Sequence, residues 1–136
     1  MRGVRPNLYL YNTVISKLAK ARKAEHALQL FHEMKAQRVG RTSVTFGAVI
    51  AACCRVGDAE NAERLFREMI RQSNFKARIP PYNTMMQLYT QTKPNRERVL
   101  FYYNALLGAR VQPTAHTYKV RSIHLTVPQS NSHITT

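Results

Sequence analysis

The sequence predicts an all-α fold, an α-solenoid built from about three stacked helical hairpins. The first ground is a repeat. Tyr11-Asn12-Thr13-Val14-Ile15 returns as Tyr82-Asn83-Thr84-Met85-Met86, 71 residues later, and Phe46-Gly47-Ala48-Val49-Ile50 lies 35 residues after the first copy. The second ground is that a distant half of the repeat keeps the same spacing, since Ala27 to Met34 matches Ala62 to Met69, again 35 apart. The third is that both halves carry helical apolar stripes. A unit of this size cannot bury its apolar face alone and must stack on its neighbours.

Taken in chain order, Tyr11, Val14, Ile15, Leu18 and Ala19 fall at i, i+3, i+4, i+7 and i+8, one face of a helix. Phe46, Val49, Ile50, Cys53 and Cys54 repeat that stripe position for position. After a break near Arg22, Gly57 or Pro94, second helices follow, with Ala24, Ala27, Leu28, Phe31 and Met34, then Ala59, Ala62, Leu65, Phe66 and Met69. The third second helix presents Val99, Leu100, Tyr102, Tyr103, Leu106 and Leu107, in a hairpin that runs one residue long. Asp58 and Asn95 stand where a side chain can cap a second helix. Pro80 and Pro81 fall in the first turn of a helix, which has no intrahelical N–H bond to lose. The expected organisation is the tail of an upstream repeat at 1–7, repeats at 8–42, 43–78 and 79–114, the start of a fourth at 115–120, and a disordered Ser-, Thr- and His-containing tail at 121–136.

Twenty-one Lys and Arg against seven Asp and Glu give a formal charge of +14 and favour a polyanionic partner, nucleic acid first. No apolar run approaches the roughly 20 residues that span a bilayer, so a membrane partner is not expected. All seven acids, Glu25, Glu33, Asp58, Glu60, Glu63, Glu68 and Glu97, fall on or at the start of second helices. A single basic residue on a helix is ordinarily a solvated face. Segregation of every acid over three units is harder to attribute to solvation, and it leaves the first-helix face, with Lys17, Lys20, Arg55 and Lys93 near it, free of negative charge.

The residues resemble the pentatricopeptide repeat family, whose unit of about 35 residues opens on Val-Thr-Tyr-Asn-Thr-Leu-Ile and closes its second helix on Ala-Leu-x-Leu-Phe-x-x-Met. The turn element of that family is echoed by Gly3-Val4-Arg5-Pro6-Asn7 and by Val111-Gln112-Pro113-Thr114. The resemblance covers residues 1 to about 120 and is to the fungal-type mitochondrial arrays. It implies a right-handed α-solenoid that binds single-stranded RNA, one base per repeat read by two or three side chains. Carried over position by position, the base-reading residues are Asn12 with Thr42, Gly47 with Arg78, and Asn83 with Thr114. The base-packing residues are Tyr9, Val44 and Pro80, and Lys17, Lys20, Arg55 and Lys93 serve the RNA backbone. Asn in the reading position implies pyrimidines at the first and third repeats. Gly47 has no side chain to read with, and Arg78 is expected on phosphate. The alternative for Asn12 and Asn83 is a structural amide bonded to nearby backbone. Arg41 and Ala77 depart from the family, standing where its turn proline is common.

No catalytic constellation is present: there is no zinc-deaminase spacing, no Gly-rich phosphate loop and no acid cluster on the first-helix side. No cofactor, metal or small-molecule substrate is expected. His26 and His32 are six apart, off the spacing for shared metal ligation, and Cys53 and Cys54 occupy core positions. The expected function is therefore non-catalytic RNA binding in mitochondria, supporting RNA processing, stability or translation, with small-subunit ribosomal RNA as one candidate. The location follows from the resemblance, because the basic stretch 1–24 is accounted for by the repeats rather than by a transit peptide. The chain reads as a fragment of a longer array or a truncated gene product, with self-association through uncapped ends as an expected consequence. A protein-binding scaffold of the tetratricopeptide kind is the rival reading.

Overall fold

A computed structural model describes residues 7–73, 75–109 and Thr117. The elements are α1 (Leu8–Lys20), α2 (Ala24–Ala36), α3 (Ser43–Arg55), α4 (Ala59–Ile70), α5 (Ile79–Gln87), which runs on as a π-helical turn over Leu88–Thr92, and α6 (Arg96–Gly108). The chain divides into two compact units, Met1–Phe75 and Lys76–Thr136. Among the described residues, the first unit holds the hairpins α1/α2 and α3/α4 and the second holds α5/α6. The expected start of a fourth repeat at 115–120, apart from the helical Thr117, and the tail at 121–136 lie outside the described residues.

Local chemistry sets the helix boundaries. Asn7 Oδ1 accepts from the Leu10 N–H at 3.0 Å, Asp58 Oδ1 from Asn61 N–H at 3.1 Å, and Asn95 Oδ1 from Arg98 N–H at 3.1 Å. Each fills one of the N–H groups that a helix start leaves unbonded. At α3 the cap is reciprocal: the Thr42 hydroxyl accepts from Thr45 N–H while Thr45 Oγ1 accepts from Thr42 N–H at 3.2 Å. The ends of α1 and α3 are closed by the same device one repeat apart. Arg22, at φ 61°, and Gly57, at φ 77°, are left-handed. The N–H groups that follow them, on Lys23 and Asp58, return to Leu18 and Cys53 carbonyls at 2.9 Å. Glycine adopts that geometry without the steric penalty Arg22 carries.

The third hairpin uses another solution. Leu8 to Ala24 and Ser43 to Ala59 are each sixteen residues apart, whereas Ile79 to Arg96 is seventeen. The π-helical turn at Leu88–Thr92 absorbs that extra residue, keeping Leu88 and Tyr89 buried. Tyr89 stacks on Tyr102 of α6 with ring centroids 6.2 Å apart and planes 13° apart. Tyr82, Met85, Met86, Val99 and Leu106 complete this unit's core.

In the first unit α3 is the central element, packed on α1, α2 and α4. Phe46, Val49, Ile50 and Cys53 are all fully buried, and Phe46 meets Phe31 of α2 edge-to-face at 5.1 Å. The predicted α1 stripe is incomplete by comparison: Val14, the counterpart of Val49, is 44% exposed. The reason is neighbours, since α1 packs substantially on α2 and α3 alone. Leu107, placed on the apolar face of the third second helix, is likewise exposed.

Arg41, where the resemblance leads one to expect proline, ties three helices together. Its guanidinium carbon lies 4.3 Å from the Phe31 ring centroid and 5.6 Å from that of Phe46, and its Nη2 is 3.2 Å from Glu68 Oε1 on α4. A planar, weakly hydrated cation stacks on rings where an ammonium does not. Cation–π contact contributes about 0.5–2 kcal/mol and a partly exposed ion pair about 0–1 kcal/mol. Arg41→Ala should therefore lower unfolding free energy by about 1–2 kcal/mol in urea titration. Arg41→Lys should lose most of that and Glu68→Gln less than half; a loss in Glu68→Gln as large as in Arg41→Ala, with little loss in Arg41→Lys, would show that the ion pair, not the ring contact, dominates.

Candidate nucleic-acid interface

The first helices α1, α3 and α5 contain no acidic residue. On α1, Tyr9, Asn12, Ser16 and Lys20 follow one another at i, i+3, i+7 and i+11 and so form a single stripe beside the buried face. On α3, Val44, Gly47, Ala51 and Arg55 occupy the same register. The base-packing candidates stand out from the surface, Tyr9 at 75% and Val44 at 62% exposure, and Pro80 is exposed in the second unit. Lys20 and Arg55 end the two stripes and are exposed. Lys17 is also exposed but, five residues after Asn12, lies about 140° round the helix from it. Lys93 follows the π-helical turn, outside helical geometry, and is exposed.

The two asparagines expected to read bases, Asn12 and Asn83, are held alike, within their own units. Asn12 Oδ1 accepts from the Thr45 hydroxyl of α3 at 2.6 Å, and Asn83 Oδ1 from the Thr117 hydroxyl at 2.9 Å. The partners are 33 and 34 residues further along the chain. The acceptor side of each amide is thus bonded to a hydroxyl about one repeat further along the chain. The local role falls to the neighbouring threonines: Thr13 donates to the Tyr9 carbonyl and Thr84 to the Pro80 carbonyl, each at 2.8 Å. Asn12 is half-buried and Asn83 is 8% exposed.

Thr42, paired with Asn12 by the resemblance, is brought to it through Thr45, whose hydroxyl contacts both residues. Gly47 faces open space, as a Cβ built there meets nothing within 4 Å. Arg78 is exposed at the start of α5. Thr114 lies outside the described residues. Thr45 and Thr117 were missed in the sequence; the signal available was their spacing of about one repeat from an asparagine.

Among the described residues no group of His, Cys, Asp and Glu could hold a metal ion, and no helix is long and apolar enough to cross a membrane. Cys53 and Cys54 are buried free thiols. Burial, then the Asp58 carboxylate, pushes Cys53 up to about 11, and burial with Cys53, Glu63 and Asp58 around it pushes Cys54 up to about 12.

Helical hairpins repeated about every 35 residues, with acid-free first helices, define a helical-repeat protein of the solenoid class. The chain belongs to the pentatricopeptide repeat family: the family model "PPR repeat family" matches residues 6–55 and "PPR repeat" residues 44–73. It is 50% identical over 118 residues to pentatricopeptide repeat-containing protein 5, mitochondrial, of Schizosaccharomyces pombe, across 87% of this chain and 9% of that protein, which makes it a fungal-type member. It is 36% identical over 78 residues to pentatricopeptide repeat-containing protein CRR2, chloroplastic, of Arabidopsis thaliana, across 57% of this chain and 12% of that one. Its fold is similar to the crystal structure of the pentatricopeptide repeat protein PPR10 from maize, with a TM-score of 0.78 at 20% identity, over 95% of this chain and 18% of that one. The chain thus spans under a fifth of the length of each of these relatives.

The thiols give a test of the packing that supports this face. Because both folded-state values lie above the roughly 8.5 of a free thiol, their contribution to stability is complete below that pH and is lost as pH rises through 11 to 12. Labelling by a disulfide reagent at pH 8 should run on the order of 100-fold slower in the folded protein than in urea, from the thiolate fraction alone. Equal rates would place the cysteines outside the core.

Proposed function

We propose that this chain binds single-stranded RNA along its first-helix stripes, without catalysis, as part of a mitochondrial RNA-processing, stability or translation function. The observation that carries this reading is the order Tyr9, Asn12, Ser16, Lys20 on an acid-free helix. It offers a ring on which a base can stack, an amide for the base edge and a cation for phosphate. Asn83 with Pro80 offers the amide and the packing surface in the second unit. Gly47 contributes no selecting group, so the middle repeat adds contact rather than discrimination. Lys20 and Arg55 at the stripe ends, with Arg78 and Lys93, supply charge toward phosphate, Lys17 lies off the stripe, and Thr42 and Thr114 support the reading asparagines.

Mitochondrial location follows the name of the fission-yeast relative, and a role on small-subunit ribosomal RNA is the narrower form of the same proposal. Telling pyrimidine from purine at two positions leaves about one random site in four acceptable, so target choice within a long array falls mostly to other repeats.

Two measurements test the reading. Oligopyrimidine RNA should bind tighter than oligopurine RNA of equal length, and Asn12→Ala with Asn83→Ala should reduce that preference by about tenfold or abolish it, while leaving the salt slope, about 0.7 per phosphate neutralised, unchanged. Equal affinity for both RNAs in the unsubstituted protein would reduce the interaction to electrostatics alone.

A further inference from the structure

We infer that Thr45 and Thr117 are positioning residues that make the asparagine one repeat earlier a pure hydrogen-bond donor toward the base. This rests on the RNA-binding reading and names what the site recognises: an acceptor atom, a base carbonyl above all.

The hydrogen bonds around Thr45 favour one direction. A hydroxyl has one proton and two lone pairs. Thr45 Oγ1 accepts from Thr42 N–H at 3.2 Å and lies 3.3 Å from Thr42 Oγ1. The capping box takes one lone pair of this oxygen, and with the Thr42 hydroxyl donating to the other the Thr45 proton is left for Asn12 Oδ1 at 2.6 Å. Thr45 is fully buried, so water does not compete for that proton. An amide is planar and its oxygen and nitrogen occupy opposite branches. With Oδ1 turned to Thr45, Nδ2 and its two protons turn away from it. Without the hydroxyl, a half-turn about the last side-chain bond would offer oxygen or nitrogen to a base with similar ease, and the amide would discriminate poorly.

A second, independent observation is that the amide and the hydroxyl are present or absent together. Asn12 has Thr45 and Asn83 has Thr117, both threonines fully buried. In the middle repeat, Gly47 stands in the amide position, and Pro81 stands where the hydroxyl is expected 34 residues later. Where no amide needs orienting, no hydroxyl is supplied. A threonine kept only for capping has no reason to follow the asparagine in this way, and Thr117 makes the same bond as Thr45 to a residue 34 earlier in sequence.

The test compares Thr45→Val plus Thr117→Val, which keeps shape and removes both hydroxyls, with Thr45→Ser plus Thr117→Ser, which keeps them. Affinities for oligouridine and oligoadenosine of equal length are measured for each, with thermal melts alongside. The unsubstituted protein should prefer oligouridine. The valine pair should lose that ratio by about tenfold, the worth of one hydrogen bond to the base, and the serine pair should restore it. A purely structural role would instead weaken both RNAs equally and leave the ratio intact, which would overturn the inference. Proton NMR of the free protein separates this from failure of the RNA reading. The Thr45 hydroxyl proton should exchange slowly and lose that protection in Asn12→Ala. If the unsubstituted protein shows no base preference, the RNA reading fails and the donor role toward a base falls with it, while slow exchange would still establish the amide's orientation. Fast exchange would sink the orientation as well.

Discussion

A helical hairpin with an apolar stripe on both helices cannot satisfy itself, and the rest of this structure follows from how far each helix is covered by others. Val14 and Val49 occupy the same register position on α1 and α3, yet one is 44% exposed and the other fully buried. Nothing in the side chain differs. What differs is that α3 is packed by α1, α2 and α4, and α1 chiefly by two of those elements. Burial of one valine side chain is worth about 1.5–3 kcal/mol, so neighbours along the array, not intrinsic helix propensity, supply most of the stability of each helix.

The charge segregation has a related local origin. Acidic residues favour helix N-termini, where the backbone dipole is positive. Here that preference is met on second helices, by Glu25, Glu60 and Glu97 in first turns and by Asp58 as a cap. First helices reach the same end with neutral chemistry: the Asn7 amide, the Thr42–Thr45 capping box and, in α5, early prolines that have no N–H to satisfy. A carboxylate cap would serve α1 or α3 equally well as a matter of helix stability. It would also place negative charge within a turn of Tyr9 or Val44, on the surface proposed to face a phosphate chain. The neutral caps give the helix start without that repulsion.

Much of this architecture was legible in the sequence because periodicity is a local and redundant signal. The helix stripes, the breaks at Arg22 and Gly57, the caps at Asp58 and Asn95 and the core placement of both cysteines each rest on residues a few positions apart. The extra residue of the third hairpin was countable, but whether a loop or a helix would absorb it was not; the π-helical turn keeps Tyr89 on Tyr102, a contact that spacing alone does not reveal. Arg41 read as a departure from a family pattern and is instead the residue bridging Phe31, Phe46 and Glu68. Both surprises are tertiary: they depend on which side chains from separate helices arrive at one place.

The asparagines mark where local reading stops for a different reason. Their position at helix starts admits a bond to nearby backbone and a bond one repeat away equally, and the long-range bonds to Thr45 and Thr117 are tertiary contacts that local spacing does not reveal. The same buried hydroxyl closes the cap of α3 and holds the amide of α1, so helix initiation, repeat stacking and amide orientation depend on one another. A change that shifts α3 against α1 by even an ångström would stretch a 2.6 Å bond toward the limit of hydrogen bonding. On the proposed reading, amide orientation in such an array is inherited from the packing of the next repeat, so a base-reading residue moved without the residue one repeat ahead would lose it.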